Sequence, residues 1–342
     1  MAKHHVLIVG VGSIGERHAR CFAQTGRAVV GIVEPNAKLR TTIAKRYGIE
    51  QAYEFLTDAL DAASWSTAVI CTPAQTHVAL ANQCLELHIP VLIEKPLAIT
   101  TLDVESLITR GNPACIGVAY VYRAHPALAA MREALVGGQY GRPLQLTATC
   151  GQHFPTYRPA YASTYYARHD TGGGAIQDAL THIFNSSEWL VGPISRIAVD
   201  AQHMVLPDVQ VEDTVHAIAR HGEVMASYAY NQHQAPNEIS INVNCEKGTV
   251  RFEMHNSRWR SQTDPQGTWE DHDVFTGSRD ALFQRQADLW LNVVEGSSPP
   301  LCTLQEGIQT LAVNEAALWS VANESAWRGV RVANVAPLES IR

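Results

Sequence analysis

Up to about residue 118 the chain alternates short, wholly apolar runs with longer stretches whose apolar positions recur three or four apart. The runs at 6–9, 28–33, 68–70, 91–93 and 115–118 lack a polar face, as strands buried on both sides of a sheet must. Between them, 13–25, 38–47 and 76–87 carry helical spacing, and Gly26 and Gly48 stand where the first two helices should stop. Strand and helix in strict alternation predict a doubly wound parallel sheet.

The rhythm changes after about residue 120. Segments 144–150, 194–204, 214–220, 224–230, 239–245 and 249–254 alternate apolar and polar residues, and Glu246-Lys247-Gly248 sits where a hairpin would turn. Consecutive strands with few helices between them predict a large, mostly antiparallel open sheet in an α+β domain, with one face free for a subunit partner. A strongly periodic helix is expected over 303–324. The division read from the pattern is 1–120 and 121–342.

Composition narrows the function. Apolar residues make up 46% and charged residues 17% of the 342, as in an ordinary folded protein. A net charge of −7 without a dense Lys/Arg patch argues against nucleic acid as partner. The apolar run at 6–11 is too short for a signal peptide and no run is long enough to span a membrane. Seven scattered cysteines without a C-x-x-C pair fit free thiols in a reducing cytoplasm. No histidine pair has zinc-site spacing, so no metal is expected.

Gly10-Val11-Gly12-Ser13-Ile14-Gly15 is a G-x-G-x-x-G turn between a strand and a helix. Its first glycine permits the turn, its second lets a pyrophosphate approach the backbone, and its third lets helix and strand pack closely. The helix start, from Ser13 and Ile14, offers N–H groups to phosphate. Glu34 ends the second strand, where a carboxylate accepts from ribose hydroxyls and repels a 2′-phosphate. NAD is therefore favoured over NADP, although Lys38 and Arg40 nearby weaken the preference. Thr72, Pro73 and His77 follow the third core strand, either beside the ligand or simply as the start of the next helix.

Glu94-Lys95-Pro96 closes the strand at 91–93 in the same sheet, so Lys95 is placed to face the nicotinamide, with Glu94 pairing with it or fixing the loop. Downstream of Gly172-Gly173-Gly174, Asp178 and His182 stand four apart on a predicted helix and so share one face. A carboxylate beside a histidine suits a base that accepts an alcohol proton, and a lysine beside a dinucleotide suits hydride transfer at a carbinol carbon.

The glycine turn, the E-K-P tripeptide and the segment from Gly172 to His182 together resemble the Gfo/Idh/MocA oxidoreductases over nearly the whole chain. The resemblance implies an N-terminal Rossmann NAD-binding domain and a C-terminal α/β domain whose open sheet joins dimers or tetramers. It implies that Lys95 hydrogen-bonds the reacting hydroxyl, that His182 accepts its proton, and that Asp178 touches or orients the substrate. Tyr120 to Pro126 resembles the family's Y-N-x-R-F-H-P segment, so Arg123 is either a ligand for substrate oxygens or one partner of a domain-interface salt bridge. The stretch from Tyr157-Arg158-Pro159 through Tyr165-Tyr166 resembles a substrate-side loop of sugar-metabolising members, with Tyr157, Arg158 and Tyr166 as the specificity candidates. Val121, Ala124, Leu180 and Asn185 depart from the family pattern around the substrate, and bear on specificity more than on chemistry.

The function expected is NAD-dependent dehydrogenation of a ring hydroxyl on a sugar, cyclitol or sugar derivative. Two alternatives use the same residues or the same fold: glycoside cleavage with transient oxidation, and a non-catalytic NAD-sensing regulator.

Overall fold

The computed structural model describes residues 3–110, 113–272, 277 and 279–331. The chain divides into two compact units, 1–124 with 277–307 and 125–276 with 308–342.

The first unit begins β1 (His4–Val9), α1 (Ser13–Gln24), β2 (Ala28–Val33), α2 (Ala37–Tyr47), β3 (Ala52–Tyr53), α3 (Leu56–Ala62) and β4 (Thr67–Ile70). It continues through α4 (His77–Glu86), β5 (Val91–Ile93), α5 (Glu105–Arg110) and β6 (Ile116–Val118). The six strands form one sheet in the order β3-β2-β1-β4-β5-β6, every pair parallel. That order reverses direction at β1, and ligands of open α/β sheets bind beside such a switch, at the carboxyl ends of the strands. β4 and β5 are buried along their whole length, which is why their sequences carry no polar face. α2 has both its ends written in sequence. Asn36 accepts from the Leu39 N–H at the start, and Gly48 takes the left-handed conformation at the end.

The second unit opens with α6 (Pro126–Val136), β7 (Pro143–Gly151), the single turn α7 (Phe154–Tyr157) and α8 (Thr181–Val191). There follow β8 (Arg196–Gln202), β9 (Thr214–His221), β10 (Val224–Asn231), β11 (Glu238–Cys245), β12 (Gly248–Glu253), β13 (Arg258–Gln262) and β14 (Glu270–His272). After α9 (Arg279–Val294) come α10 (Leu304–Ala322) and β15 (Arg328–Gly329). Nine strands make a sheet in the order β14-β13-β12-β11-β7-β10-β9-β8-β15. β7 pairs parallel with β10 and the other pairs are antiparallel. The fold class expected from the sequence is the one observed.

The sequence reading ran the second domain unbroken from 121 to 342, but α9 packs with the first unit. The Trp290 indole donates to Thr67 Oγ1 at 2.9 Å, Phe283 meets His18 edge-on, and Asp280 takes charged hydrogen bonds from Arg17 and Arg20. Trp290 and Leu291 lie in the same core cluster as β1 and β2. A helical pattern shows that a face is buried, not which neighbour covers it.

Candidate active site

At the first switch point the glycine turn has the shape its spacing predicts. Gly10 has φ +84°, and a Cβ there would meet the Thr72 side chain at 2.9 Å. At Gly15 a Cβ would lie 1.9 Å from the Gly10 carbonyl oxygen, so the start of α1 is pressed onto the turn. No heavy atom lies within 4 Å of a Cβ placed on Gly12, which leaves the helix start open to an approaching group. Glu34 reaches across from β2: its Oε2 accepts from the Val11 N–H at 3.1 Å and its Oε1 from the Asn36 N–H at 3.0 Å. Arg40 turns away from the carboxylate. Its guanidinium donates to the carbonyls of Glu34 and Pro35 and to Glu54.

Thr72 and His77 tie this turn to the next one. The His77 ring lies between two carbonyl oxygens, with Nε2 2.7 Å from Thr72 and Nδ1 3.1 Å from Pro96. Burial pushes its pKa down, against the pull of those carbonyls, and keeps the ring neutral at neutral pH. A neutral ring carries one N–H, so His77 donates to one of these two carbonyls and packs its other nitrogen against the second, between the loop after β4 and the loop after β5. Thr72 Oγ1 accepts from the Thr76 hydroxyl at 2.7 Å, and Pro73 leads directly into the turn before α4.

Glu94 is 5% exposed and both its oxygens are engaged. The His18 Nε2–H donates to Oε1 at 2.7 Å, and the Lys95 N–H donates to Oε2 at 3.0 Å. The Lys95–Pro96 peptide is cis. Of the two roles read from sequence, Glu94 takes the one of fixing the loop, by holding the backbone from which the Lys95 side chain leaves. His18 is missing from the sequence reading, yet it stands on the buried face of α1 with Gly15, Ala19 and Phe22. A histidine inside an apolar helical stripe was the available signal.

Arg123 is 2% exposed. It donates to the Leu301 carbonyl at 3.0 Å and pairs with Glu306 at 2.5 Å, all within the first unit. Burial works against the Glu306 carboxylate, but the Arg123 charge and the hydrogen bonds from Thr303 outweigh it and hold its pKa low. Arg123 does form an ion pair, but inside the first unit and not at a domain interface as read from the sequence.

In the second unit, the glycine triplet leads into a π-helical turn, Ile176–Leu180, which passes directly into α8. Asp178 lies in the π turn and His182 is the second residue of α8, so their i, i+4 relation spans a π-to-α junction where one regular helix was expected. Such junctions concentrate at functional sites. Glu212, absent from the sequence reading, caps the entry. Its Oε1 accepts from the Ile176 N–H at 2.8 Å and its backbone carbonyl from the Ala175 N–H at 3.0 Å. A Cβ at Gly174, which has φ +90°, would lie 2.7 Å from both carboxylate oxygens. Glu212 also binds the His169 ring at 2.5 Å, and that hydrogen bond raises the His169 pKa against the opposing effect of burial.

The three substrate-side candidates part company. Tyr166 is 2% exposed, in a core cluster with Phe154, Tyr161 and Leu206. Its hydroxyl donates to Gln232, and burial drives its pKa up. Arg158 stacks on the Phe154 ring, and Tyr157 is exposed. The tyrosine brought to Asp178 is the neighbour, Tyr165, whose hydroxyl donates to Oδ1 at 2.6 Å. The structure thus assembles two groups. Gly10 to Gly15, Glu34, Thr72, His77, Glu94 and Lys95 line the carboxyl ends of β1, β2, β4 and β5; Tyr165, Asp178 and His182 gather at the glycine-fed helix. Among the described residues no three His, Cys, Asp or Glu side chains group as a metal site, and no helix is long and apolar enough to cross a membrane.

Residues 4–112 match the model of the oxidoreductase family with an NAD-binding Rossmann fold, and residues 128–251 that of the GFO/IDH/MocA C-terminal domain. An inositol 2-dehydrogenase of Leifsonia xyli is 32% identical over 56% of this chain and 56% of its own length. A levoglucosan dehydrogenase of Pseudarthrobacter phenanthrenivorans is 26% identical over 58% of this chain and 53% of its own. These matches span little more than half the length of either relative. In fold, a levoglucosan dehydrogenase solved with NADH superposes with a TM-score of 0.84 at 22% identity, covering 96% of this chain and 99% of that one. Two successive domains matched by models of one family, on a six-stranded parallel sheet followed by an open nine-stranded one, place the chain in the Gfo/Idh/MocA family of oxidoreductases.

Proposed function

We propose that the chain is an NAD-dependent dehydrogenase acting on a ring hydroxyl of a sugar, cyclitol or sugar derivative. The observation that carries this reading is the setting of Lys95. Glu94 and His18 fix its backbone at the end of β5, in the sheet whose β1 and β2 ends hold the glycine turn and Glu34. The turn and Glu34 fit a dinucleotide: Gly12 leaves the helix start open, and Glu34 presents a carboxylate where a ribose would lie. When bound, NAD supplies the acceptor for the hydride. The protein's own part is to hold and deprotonate the hydroxyl. Lys95 donates a hydrogen bond to its oxygen and favours the charge that develops there, while His182 accepts the proton. Asp178, whose carboxylate is oriented by Tyr165, binds the substrate beside it.

Inositol and levoglucosan, in the names of the relatives, support a polyhydroxylated ring as substrate. NAD is favoured over NADP because Glu34 is anionic and because Arg40, one of the two nearby cations that a 2′-phosphate could recruit, is committed to carbonyls and Glu54, which leaves the exposed Lys38. The same proposal makes the protein a cytoplasmic homodimer or homotetramer joined through the nine-stranded sheet. Ile218 and Met225, on its outward face, are about half exposed at 50% and 52%.

The test is to supply purified protein with NAD or NADP across inositols, free sugars, glycosides and nucleotide sugars, following reduced nicotinamide. Turnover with NAD on one class of polyol, at least about tenfold above NADP, is expected. Sugar release without net reduced cofactor would assign glycoside cleavage in its place. Bound NAD without turnover on any class would assign a sensor.

A further inference from the structure

We propose that Asn314 of α10 is a positioning residue for His182: acting through Thr181, it pins the junction at which the π turn gives way to α8. The proposal rests on the dehydrogenase reading above. α8 and α10 are joined by a buried polar seam. The Asn314 side-chain N–H donates to Thr181 Oγ1 at 3.0 Å, and one turn further along α8 the Asn185 side-chain N–H donates to Thr310 Oγ1 at 3.0 Å. The Thr310 hydroxyl in turn donates to Glu188 Oε2 at 2.7 Å, and the Gln309 amide donates to Glu188 Oε1 at 2.9 Å. Thr181, Asn185, Thr310 and Asn314 are all buried. An apolar seam can slip along a helix with little loss, whereas directional bonds one turn apart fix both its register and its rotation.

Asn314 stands out within the seam because it is a poor choice for stability. Its Oδ1 is buried and has no hydrogen-bond partner among the described residues. An amide oxygen left so is destabilising, and a leucine of similar size would pack there without that loss. What the amide contributes lies at its other end, on Thr181. That residue is the first of α8, directly after the π turn Ile176–Leu180 and directly before His182. A π turn holds one residue more than an α turn, and nothing in a helix ladder itself fixes where that extra residue sits. Moving it past Thr181 and His182 would turn the imidazole about 100° around the helix axis. The Asn314–Thr181 bond holds the hydroxyl at the junction in one place and so keeps the extra residue upstream of the base.

The experiment is a double-mutant cycle of Asn314→Leu and Thr181→Val on the best polyol of the panel, with Thr181→Ser as the variant that keeps the hydroxyl. Asn314→Leu should lower kcat about tenfold, since a small misplacement of a catalytic group is enough for that. It should leave KM and the affinity for NADH within about twofold and keep or raise the thermal midpoint. Thr181→Val should lose about as much in kcat, and the double variant no more than either single one, because the same bond is removed only once. Thr181→Ser should stay within about twofold of the wild type. Wild-type kcat in Asn314→Leu would overturn the proposal, as would additive losses in the cycle or a loss of kcat that comes with a lowered thermal midpoint. If Asn314→Leu does not fold, Thr181→Val and Thr181→Ser decide between them, and equal kcat in those two would overturn the proposal. A wild type that turns over nothing would instead remove the dehydrogenase reading itself, and this proposal with it.

Discussion

A Lys95→Ala protein is expected to turn over about 10²-fold or more slowly than the wild type while binding NAD with an affinity within about twofold. The reason lies in how the lysine is held. Glu94 spends both oxygens behind it, one on His18 and one on the Lys95 N–H, so truncating the side chain leaves the loop and the glycine turn in place. What is lost is the donor to the hydroxyl oxygen, at the step where that oxygen gains negative charge. Lys95→Arg should rescue little, since a planar guanidinium does not reproduce the compact ammonium at the same point. Turnover within about threefold of the wild type in Lys95→Ala would contradict the role.

His182→Ala is expected to lose about 10²- to 10⁴-fold in kcat, the usual contribution of a positioned general base. Added imidazole should restore part of the loss, because the small base can occupy the space left by the ring. The prediction leans on the backbone that carries His182: Glu212 holds the Ile176 N–H and the glycines pack against it, so the start of α8 survives the substitution. Unfolding would show as a lowered thermal midpoint and would not respond to imidazole. A kcat indifferent to both the substitution and imidazole would place the base elsewhere.

Much of the fold was legible because burial on both faces leaves a plain pattern. β2 and β5 stand at the residues expected, and α2 ends at the glycine expected. β13 and β14 were passed over for a physical reason. On β13 only Trp259 and Ser261 point into the core, while Arg258 and Arg260 pair with Glu253 and Asp271 on the other side, so little apolar signal remains. α6 carries a legible stripe, Ala127, Leu128, Met131 and Leu135, behind a proline at its first turn, in a stretch the sequence analysis leaves unassigned.

The site divides in the same way. Glycine turns, Glu34 and the E-K-P tripeptide sit at ends of regular elements, where spacing predicts placement. Tyr165 and Tyr166 sit in a run of 3₁₀ turns, where no periodicity tells which of two neighbours points inward. The ion-pair partner of Arg123 was not legible because Glu306 is far away in sequence. Glu212 gave no signal at all, since an acid beside Asp213 between two strands looks like part of a solvated loop until its carboxylate is seen closing the helix entry.

The most direct test of the account replaces the hydrogen on the reacting carbinol carbon with deuterium and follows the label by mass spectrometry, with NAD and the polyol the panel selects. The account predicts that the deuterium leaves the ring and is recovered in the reduced nicotinamide, in amounts equal to the oxidised product. Deuterium released to water, or product formed with the label still on its carbon, would contradict it.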